Sequence, residues 1–95
     1  MDKVFFSEAK KLILLWSKGT FPTRRESIKY HFARHGHEVF AEDVWQYLRK
    51  AANFSMTLRS AKKSDLDTGS IRYMKQGNYV IKENSGKILS FGKEL

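Results

Sequence analysis

The sequence predicts a single α+β domain, residues 1–95, with N-terminal helices packed on a small C-terminal antiparallel β-meander. Two patterns predict this class: apolar residues recur at helical spacing through the first half, and short β-branched and aromatic runs separated by glycine turns fill the last quarter. A chain of 95 residues can bury enough surface for one modest core. Helices followed by strands along the chain are typical of an α+β domain.

The first helix is predicted between Val4 and Trp16, where apolar residues have the spacing of one buried face, and Gly19 is a natural stop. A later stretch, from Glu42 to Met56, is expected to form the third helix. It places five apolar residues on one stripe, namely Val44, Tyr47, Leu48, Ala51 and Ala52.

The second helix is predicted to start after Phe21-Pro22, where Thr23 and Glu26 have the spacing of a capping box. This helix should run to about His35. Gly36 is then expected to be its left-handed C-terminal residue.

The C-terminal part is predicted to begin with a long loop over residues 59–70, rich in Ser, Lys, Asp, Thr and Gly. Three antiparallel strands follow, over residues 70–75, 78–82 and 87–91, joined by glycine-containing turns. Simple alternation along the last strand puts Ser90 on the same face as Ile88.

Composition narrows the function classes. The net charge of +8 favours a polyanionic partner, and the absence of cysteine excludes a disulfide framework and a thiolate nucleophile. The longest apolar run, from Leu12 to Trp16, is far shorter than a membrane span, so we expect no stable membrane association. The acidic N-terminus does not resemble a signal peptide.

The most informative motif is three histidines within seven residues, His31, His35 and His37, with Arg34 beside the second. On a helix, His31 and His35 share a face. One interpretation is acid–base catalysis on a phosphodiester, because histidine titrates near neutrality. Another is a zinc site, although a bare HxxxH pair is a weak metal signal. A third is that His31 packs in the core while the others are merely solvated.

Basic residues around the histidines are candidates for RNA binding, because arginine and lysine neutralise phosphates. Most of the single lysines could equally well serve only to keep the surface soluble. The candidates lie on the second helix and in the C-terminal third: Arg24, Arg25, Lys29, Arg72, Lys75 and Lys87.

A family resemblance adds to this interpretation. The segments that carry it are Ser27–Glu38 with its His-x-x-x-His-Gly, the Tyr47-Leu48-Arg49-Lys50-Ala51 stretch, and the closing Gly86-Lys87-Ile88-Leu89-Ser90-Phe91. Over residues 20–92 the chain resembles the C-terminal ribonuclease modules of bacterial polymorphic and contact-dependent inhibition toxins, the Barnase/EndoU/colicin/RelE-like (BECR) group. It is also similar to the colicin D type of tRNA anticodon-loop ribonuclease. It departs from the pattern at Glu38-Val39-Phe40-Ala41 and at Gly92, which stands where colicin D uses a tryptophan.

The resemblance implies a metal-independent endoribonuclease, without cofactors, that cleaves tRNA to 2′,3′-cyclic phosphate and 5′-hydroxyl ends. It implies His35 as the acid–base residue, His31 as a second histidine, Arg34 as a phosphate-stabilising cation and Ser90 as a hydroxyl contact to the scissile phosphate. It also implies a monomer delivered as part of a larger toxin into the target-cell cytoplasm, with an acidic immunity protein as partner. The competing hypothesis is a nucleic-acid-binding module without catalysis.

Overall fold

The computed structural model describes residues 3–66 and 69–94, with side chains from residue 7 onward. Helices α1 (Lys3–Leu14), α2 (Arg24–His35) and α3 (Val44–Ser55) precede strands β1 (Lys62–Asp65), β2 (Ile71–Lys75), β3 (Asn78–Lys82) and β4 (Ile88–Lys93). A short 3-10 turn, Gly36–Val39, follows α2 directly. The strands form one antiparallel sheet in chain order, which confirms the predicted α+β class. Within the described ranges, no helix has both the length and the apolar character needed to cross a membrane.

The predicted long loop over residues 59–70 is wrong in part, because it contains the edge strand β1 and the meander has four strands. All four residues of β1 are exposed, and none of them is apolar. The segment therefore lacks the apolar alternation that marks a half-buried strand. Its extended conformation comes from pairing with β2, with Lys62 opposite Met74 and Asp65 opposite Ile71.

The ends of the first two helices differ from the prediction at two points. Helix α1 ends at Leu14 rather than Trp16, which instead forms a bridge with Ile88 in β4. The Thr23 half of the predicted capping box is confirmed, since the Thr23 hydroxyl accepts the backbone N–H of Glu26 at 3.2 Å. Gly36 is not left-handed.

Gly36 has φ of −55° in the right-handed region, so the prediction of a left-handed helix end is wrong; the chain turns at Phe40, whose φ is +59°. Glycine is required at position 36 for a packing reason. A Cβ there would lie 2.7 Å from two ring atoms of Phe32.

The third helix matches its prediction closely. Asp43 caps it by accepting the backbone N–H of Gln46 at 2.9 Å, and the residues buried along it are Tyr47, Leu48, Ala51 and Ala52. This stripe packs against the sheet in one continuous core. The other buried members of that core are Leu12, Trp16, Ile28, Val39, Val80, Ile88 and Phe91.

The two faces of the sheet have different roles. Cross-strand partners share a face and neighbours along a strand alternate, so the register defines both sets. Val80 and Phe91 are paired and lie on the core face. We call the opposite side the site face. Two rows of paired residues cross it: Lys62, Met74, Tyr79 and Gly92 in one, and Ser64, Arg72, Ile81 and Ser90 in the other.

A β-bulge in β4 overturns the expected orientation of Ser90. Ile88 pairs with Lys82 and Ser90 pairs with Ile81, so Leu89 is the extra residue on the bulged strand. Lys82 and Ile81 are neighbours and therefore point to opposite faces, which their partners must follow. Ser90 thus lies on the site face and Ile88 on the core face, not on one face together.

Candidate active site

The site is centred on His35, the last residue of α2. Its Nδ1 lies 2.9 Å from Glu38 Oε1, and its Nε2 lies 3.4 Å from the hydroxyl of Tyr79 in β3. The 3-10 turn that follows α2 brings Glu38 back beside the ring. Both side chains are mostly shielded, with 15% of His35 and 18% of Glu38 exposed. Two protein groups therefore fix the ring at its two nitrogens.

The Glu38 carboxylate determines which ring nitrogen of His35 carries the proton. Its partial burial raises its pKa, but hydrogen bonds from the Lys93 backbone N–H and from His35 outweigh that and lower the pKa below its ordinary value. Glu38 is therefore an acceptor only at neutral pH, so Nδ1 of His35 donates to it. This leaves Nε2 to accept or release a proton on the side of Tyr79.

The pair is accommodated by the missing side chain of Gly92 in β4. A Cβ at this position would lie 2.8 Å from Glu38 Oε1 and 3.1 Å from His35 Nδ1. The next residue, Lys93, donates its backbone N–H to the same Glu38 oxygen at 3.1 Å. The last strand thus packs directly against the His35–Glu38 pair, and a larger residue at position 92 would displace it.

Tyr79 continues the contacts from His35 to the last strand. Its hydroxyl lies 3.0 Å from Ser90 Oγ, and both residues are buried. The guanidinium of Arg72, on the neighbouring strand, lies 4.6 Å from the centroid of the Tyr79 ring. The Nε of Arg72 is buried and has no hydrogen-bond partner among the described residues. We call His35, Glu38, Tyr79, Ser90 and Arg72 the histidine cluster.

His31 lies one helical turn before His35, and the two rings stack with centroids 6.0 Å apart and planes 13° from parallel. Burial, followed by the nearby positive charges of His35 and Arg34, lowers the pKa of His31 to about 4. His31 is therefore neutral at pH 7. Its Nδ1 is buried and lacks a hydrogen-bond partner within the described ranges.

Of the four residues predicted to be catalytic, the structure brings His35, His31 and Ser90 together. Arg34 is exposed on α2, and its guanidinium donates to the Tyr30 hydroxyl at 3.3 Å. Arg34 thus hydrogen-bonds Tyr30, one turn earlier on the helix, rather than a member of the histidine cluster.

The six predicted RNA-binding cations separate into three groups. Arg72 belongs to the histidine cluster, whereas Arg25 and Lys29 border an apolar groove between α2 and α3. The other three donate to main-chain carbonyls that join distant segments: Arg24 to Trp16 at 2.6 Å, Lys75 to Thr57 at 2.6 Å and Lys87 to Leu14 at 3.1 Å.

Sequence reasoning missed three members of this arrangement. Glu38 was noted only as a departure from a motif, although its spacing of three from His35 suits a contact across one turn. Nothing in the sequence links Tyr79 to His35, because the two are 44 residues apart. Gly92 was noted only as a missing tryptophan. The role of Gly92 depends on the close approach of β4 to the 3-10 turn, which no local pattern encodes.

No group of three or more His, Asp or Glu side chains suited to holding a metal ion occurs in the part of the chain that the structure describes. Comparison with protein-family models, with curated proteins and with solved structures gave no match for the chain.

Proposed function

We propose that the protein is a metal-independent endoribonuclease whose proton-transferring residue is His35. The observation that carries this proposal is the pairing of the two ring nitrogens: Nδ1 with the Glu38 carboxylate and Nε2 with the Tyr79 hydroxyl. A carboxylate that fixes the tautomer of a histidine, and leaves the other nitrogen at a polar surface, is suited to general acid–base work.

The proposed reaction uses no protein nucleophile. The ribose 2′-oxygen bonds to the adjacent phosphorus as the bond from phosphorus to the 5′-oxygen breaks, which gives a 2′,3′-cyclic phosphate and a 5′-hydroxyl. One proton leaves the 2′-hydroxyl and one is delivered to the departing 5′-oxygen. His35 Nε2 performs one of these transfers, and the water around the partly exposed site or the Tyr79 hydroxyl accounts for the other.

Charge stabilisation at the phosphate is assigned to Arg72 and Ser90. The buried Nε of Arg72 is a donor that has no acceptor in the described part of the chain, and such a group is costly unless a ligand satisfies it. Ser90 supplies a hydroxyl that lies 3.0 Å from that of Tyr79, and the residue lines the adjoining pocket. The net charge of +8 supports attraction of a polyanion to the whole molecule.

The resemblance extends this proposal to a biological setting. The chain then acts as the nuclease module of a larger toxin delivered into a target cell, with tRNA as substrate. In the producing cell, an acidic immunity protein binds the basic protein and blocks cleavage. These parts of the proposal rest on the resemblance alone.

The test is incubation of the purified chain with total RNA and with a tRNA pool in EDTA, followed by mapping of the new ends and of their phosphate chemistry. We expect 2′,3′-cyclic phosphate and 5′-hydroxyl ends. The variant His35→Ala should lower the cleavage rate by about 10²- to 10⁴-fold and keep most of the affinity for RNA.

His37→Ala is the matched control, because His37 is exposed and lies outside the histidine cluster. It should cleave at close to the wild-type rate. Loss of cleavage in EDTA would contradict metal independence. Binding of RNA without cleavage by the wild-type chain would instead support a nucleic-acid-binding module.

A further inference from the structure

A second feature of the site face is a pocket of about 620 Å³ that adjoins the histidine cluster at Ser90. Its volume is in the range that encloses small organic ligands. Helix α2 supplies one wall, β3 and β4 supply the other, and the segment before α2 closes one end. Its principal lining residues are Phe21, Tyr30, His31, Ile81, Glu83 and Ser90.

One wall of the pocket is aromatic. The rings of Phe21 and Tyr30 have centroids 5.1 Å apart, and the His31 ring stands edge-on to both, at 6.1 Å and 5.1 Å. Tyr30 remains 43% exposed, although three aromatic rings meet here. Aromatic surface that stays accessible beside a polar cluster is suited to stacking against a flat heterocycle.

The remaining walls supply hydrogen-bonding groups. His31 is neutral at pH 7, so its imidazole has one donor and one acceptor nitrogen; Nδ1 is buried and without a partner among the described residues, which leaves Nε2 as the nitrogen to bond a ligand. Glu83 is anchored on the other side, where its two carboxylate oxygens accept the Ser17 hydroxyl at 2.7 Å and the Ser85 hydroxyl at 3.0 Å. Each carboxylate oxygen can accept a further hydrogen bond, which suits an amino or ring N–H donor.

From this geometry we infer that the pocket binds an unpaired nucleobase of the RNA, the base of a nucleotide flanking the scissile phosphate. This inference rests on the proposed ribonuclease function. It assigns His31 to substrate binding rather than to proton transfer. The stacked ring of His35 and the shared residue Ser90 place the pocket next to the group that would act on the phosphate.

The kinetic test combines changes in the RNA with changes in the pocket. A short single-stranded RNA containing the mapped cleavage site is prepared with an abasic nucleotide on either side of the scissile bond. For the wild-type chain, one of the two abasic RNAs should raise KM by about 10- to 100-fold. For Phe21→Ala and His31→Phe, the intact RNA should already show the raised KM, and the abasic change should add little.

Two controls separate binding from other roles of these residues. Phe40→Ala removes an aromatic ring that is 85% exposed and lies outside the pocket, and should leave the abasic effect intact. The pH profile of kcat should be the same in His31→Phe as in the wild-type chain. The inference would be overturned if His31→Phe lost one limb of that pH profile. It would also be overturned if the abasic RNA raised KM as much in the pocket variants as in the wild-type chain.

A binding measurement keeps the inference testable if the chain does not cleave RNA. Backbone amide NMR shifts of Gly19, Thr20 and Ser70, which line the pocket, are followed during titration with the four 3′-nucleoside monophosphates and with ribose 3-phosphate. We expect shifts with at least one nucleotide and none with ribose phosphate. Equal shifts with both would overturn the pocket assignment, whereas base-dependent shifts without cleavage would overturn only the proposed function.

Discussion

Two buried tyrosines on opposite sides of the sheet show how the core differs from the site. Tyr47 of α3 is fully buried, and its hydroxyl donates to the backbone carbonyl of Phe91. Burial raises the pKa of Tyr47 well above its usual range, so it stays protonated and acts as a fixed donor. Tyr79 is 8% exposed, yet its hydroxyl faces two side chains, His35 and Ser90, which can each donate or accept a hydrogen bond.

The difference concerns which polar groups are satisfied. On the core face, the Tyr47 hydroxyl has a main-chain partner. Among the described residues three buried side-chain nitrogens have no partner: those of Arg72 and His31 adjoin the site face, and the third, Nε1 of Trp16, lies in the core beside the His31 ring. Buried polar atoms without partners cost free energy of folding, and a bound ligand can satisfy them. The core face is organised for stability, and we interpret the site face as organised for binding.

The largest expected effect distinguishes two neighbouring residues of β4 that point to opposite faces. Phe91→Ala should lower the free energy of unfolding by about 3–5 kcal/mol, because it opens a cavity beside Tyr47 and Phe54. Ser90→Ala removes only one hydroxyl contact and should cost about 1 kcal/mol. Urea unfolding curves of both variants give these values.

In RNA cleavage, measured per folded molecule, the same two variants should show the reverse order of effect, with the larger loss in Ser90→Ala. Ser90→Ala should cleave more slowly than the wild-type chain. Phe91→Ala should keep the wild-type rate when it is assayed without urea at a low temperature at which it remains folded. A Ser90→Ala variant as unstable as Phe91→Ala would contradict the assignment of the two faces.

The tyrosines give a smaller and more selective test. Tyr47→Phe leaves the Phe91 carbonyl without its side-chain donor and should cost about 1–2 kcal/mol of unfolding free energy, with cleavage unchanged. Tyr79→Phe keeps the ring beside Arg72 but removes the hydroxyl that faces His35. It should lower kcat by about 10-fold or more with a smaller loss of stability. Equal effects of both variants on both measurements would contradict the comparison.

The sequence predicts most of the fold because the relevant signals are local. The cap at Thr23, the apolar stripe of α3 and the strand runs each depend on a few neighbouring residues. It misses β1, whose Lys-Lys-Ser-Asp sequence carries no apolar alternation and which forms by pairing alone. It misplaces Ser90, because a bulge is a property of two strands in register and not of one.

The candidate site divides in the same way. His35 and His31 are marked by their spacing on one helix, and the structure stacks their rings. The partners of His35 cannot be predicted in this way, because the 3-10 turn brings Glu38 to one ring nitrogen and β3 brings Tyr79 to the other. Both contacts depend on tertiary structure. A charge count likewise selects Lys75 and Lys87 as RNA ligands, yet both donate to main-chain carbonyls of distant segments.

The smallest expected effect is a pH-dependent contribution of His31 to stability. Its pKa is about 4 in the folded chain, below the ordinary histidine pKa of 6.5, so the unfolded chain binds more protons between these values. Stability from this group is therefore complete above pH 6.5 and is lost as pH falls toward 4. Allowing for partial solvent screening, the loss between pH 7 and pH 5 should be about 1 kcal/mol.

Urea unfolding of the wild-type chain and of His31→Phe at both pH values isolates the contribution of His31, because His35 and His37 are common to both proteins. The variant should lose less stability over this interval, and an equal loss in both proteins would show that burial and the neighbouring positive charges do not hold the His31 ring neutral.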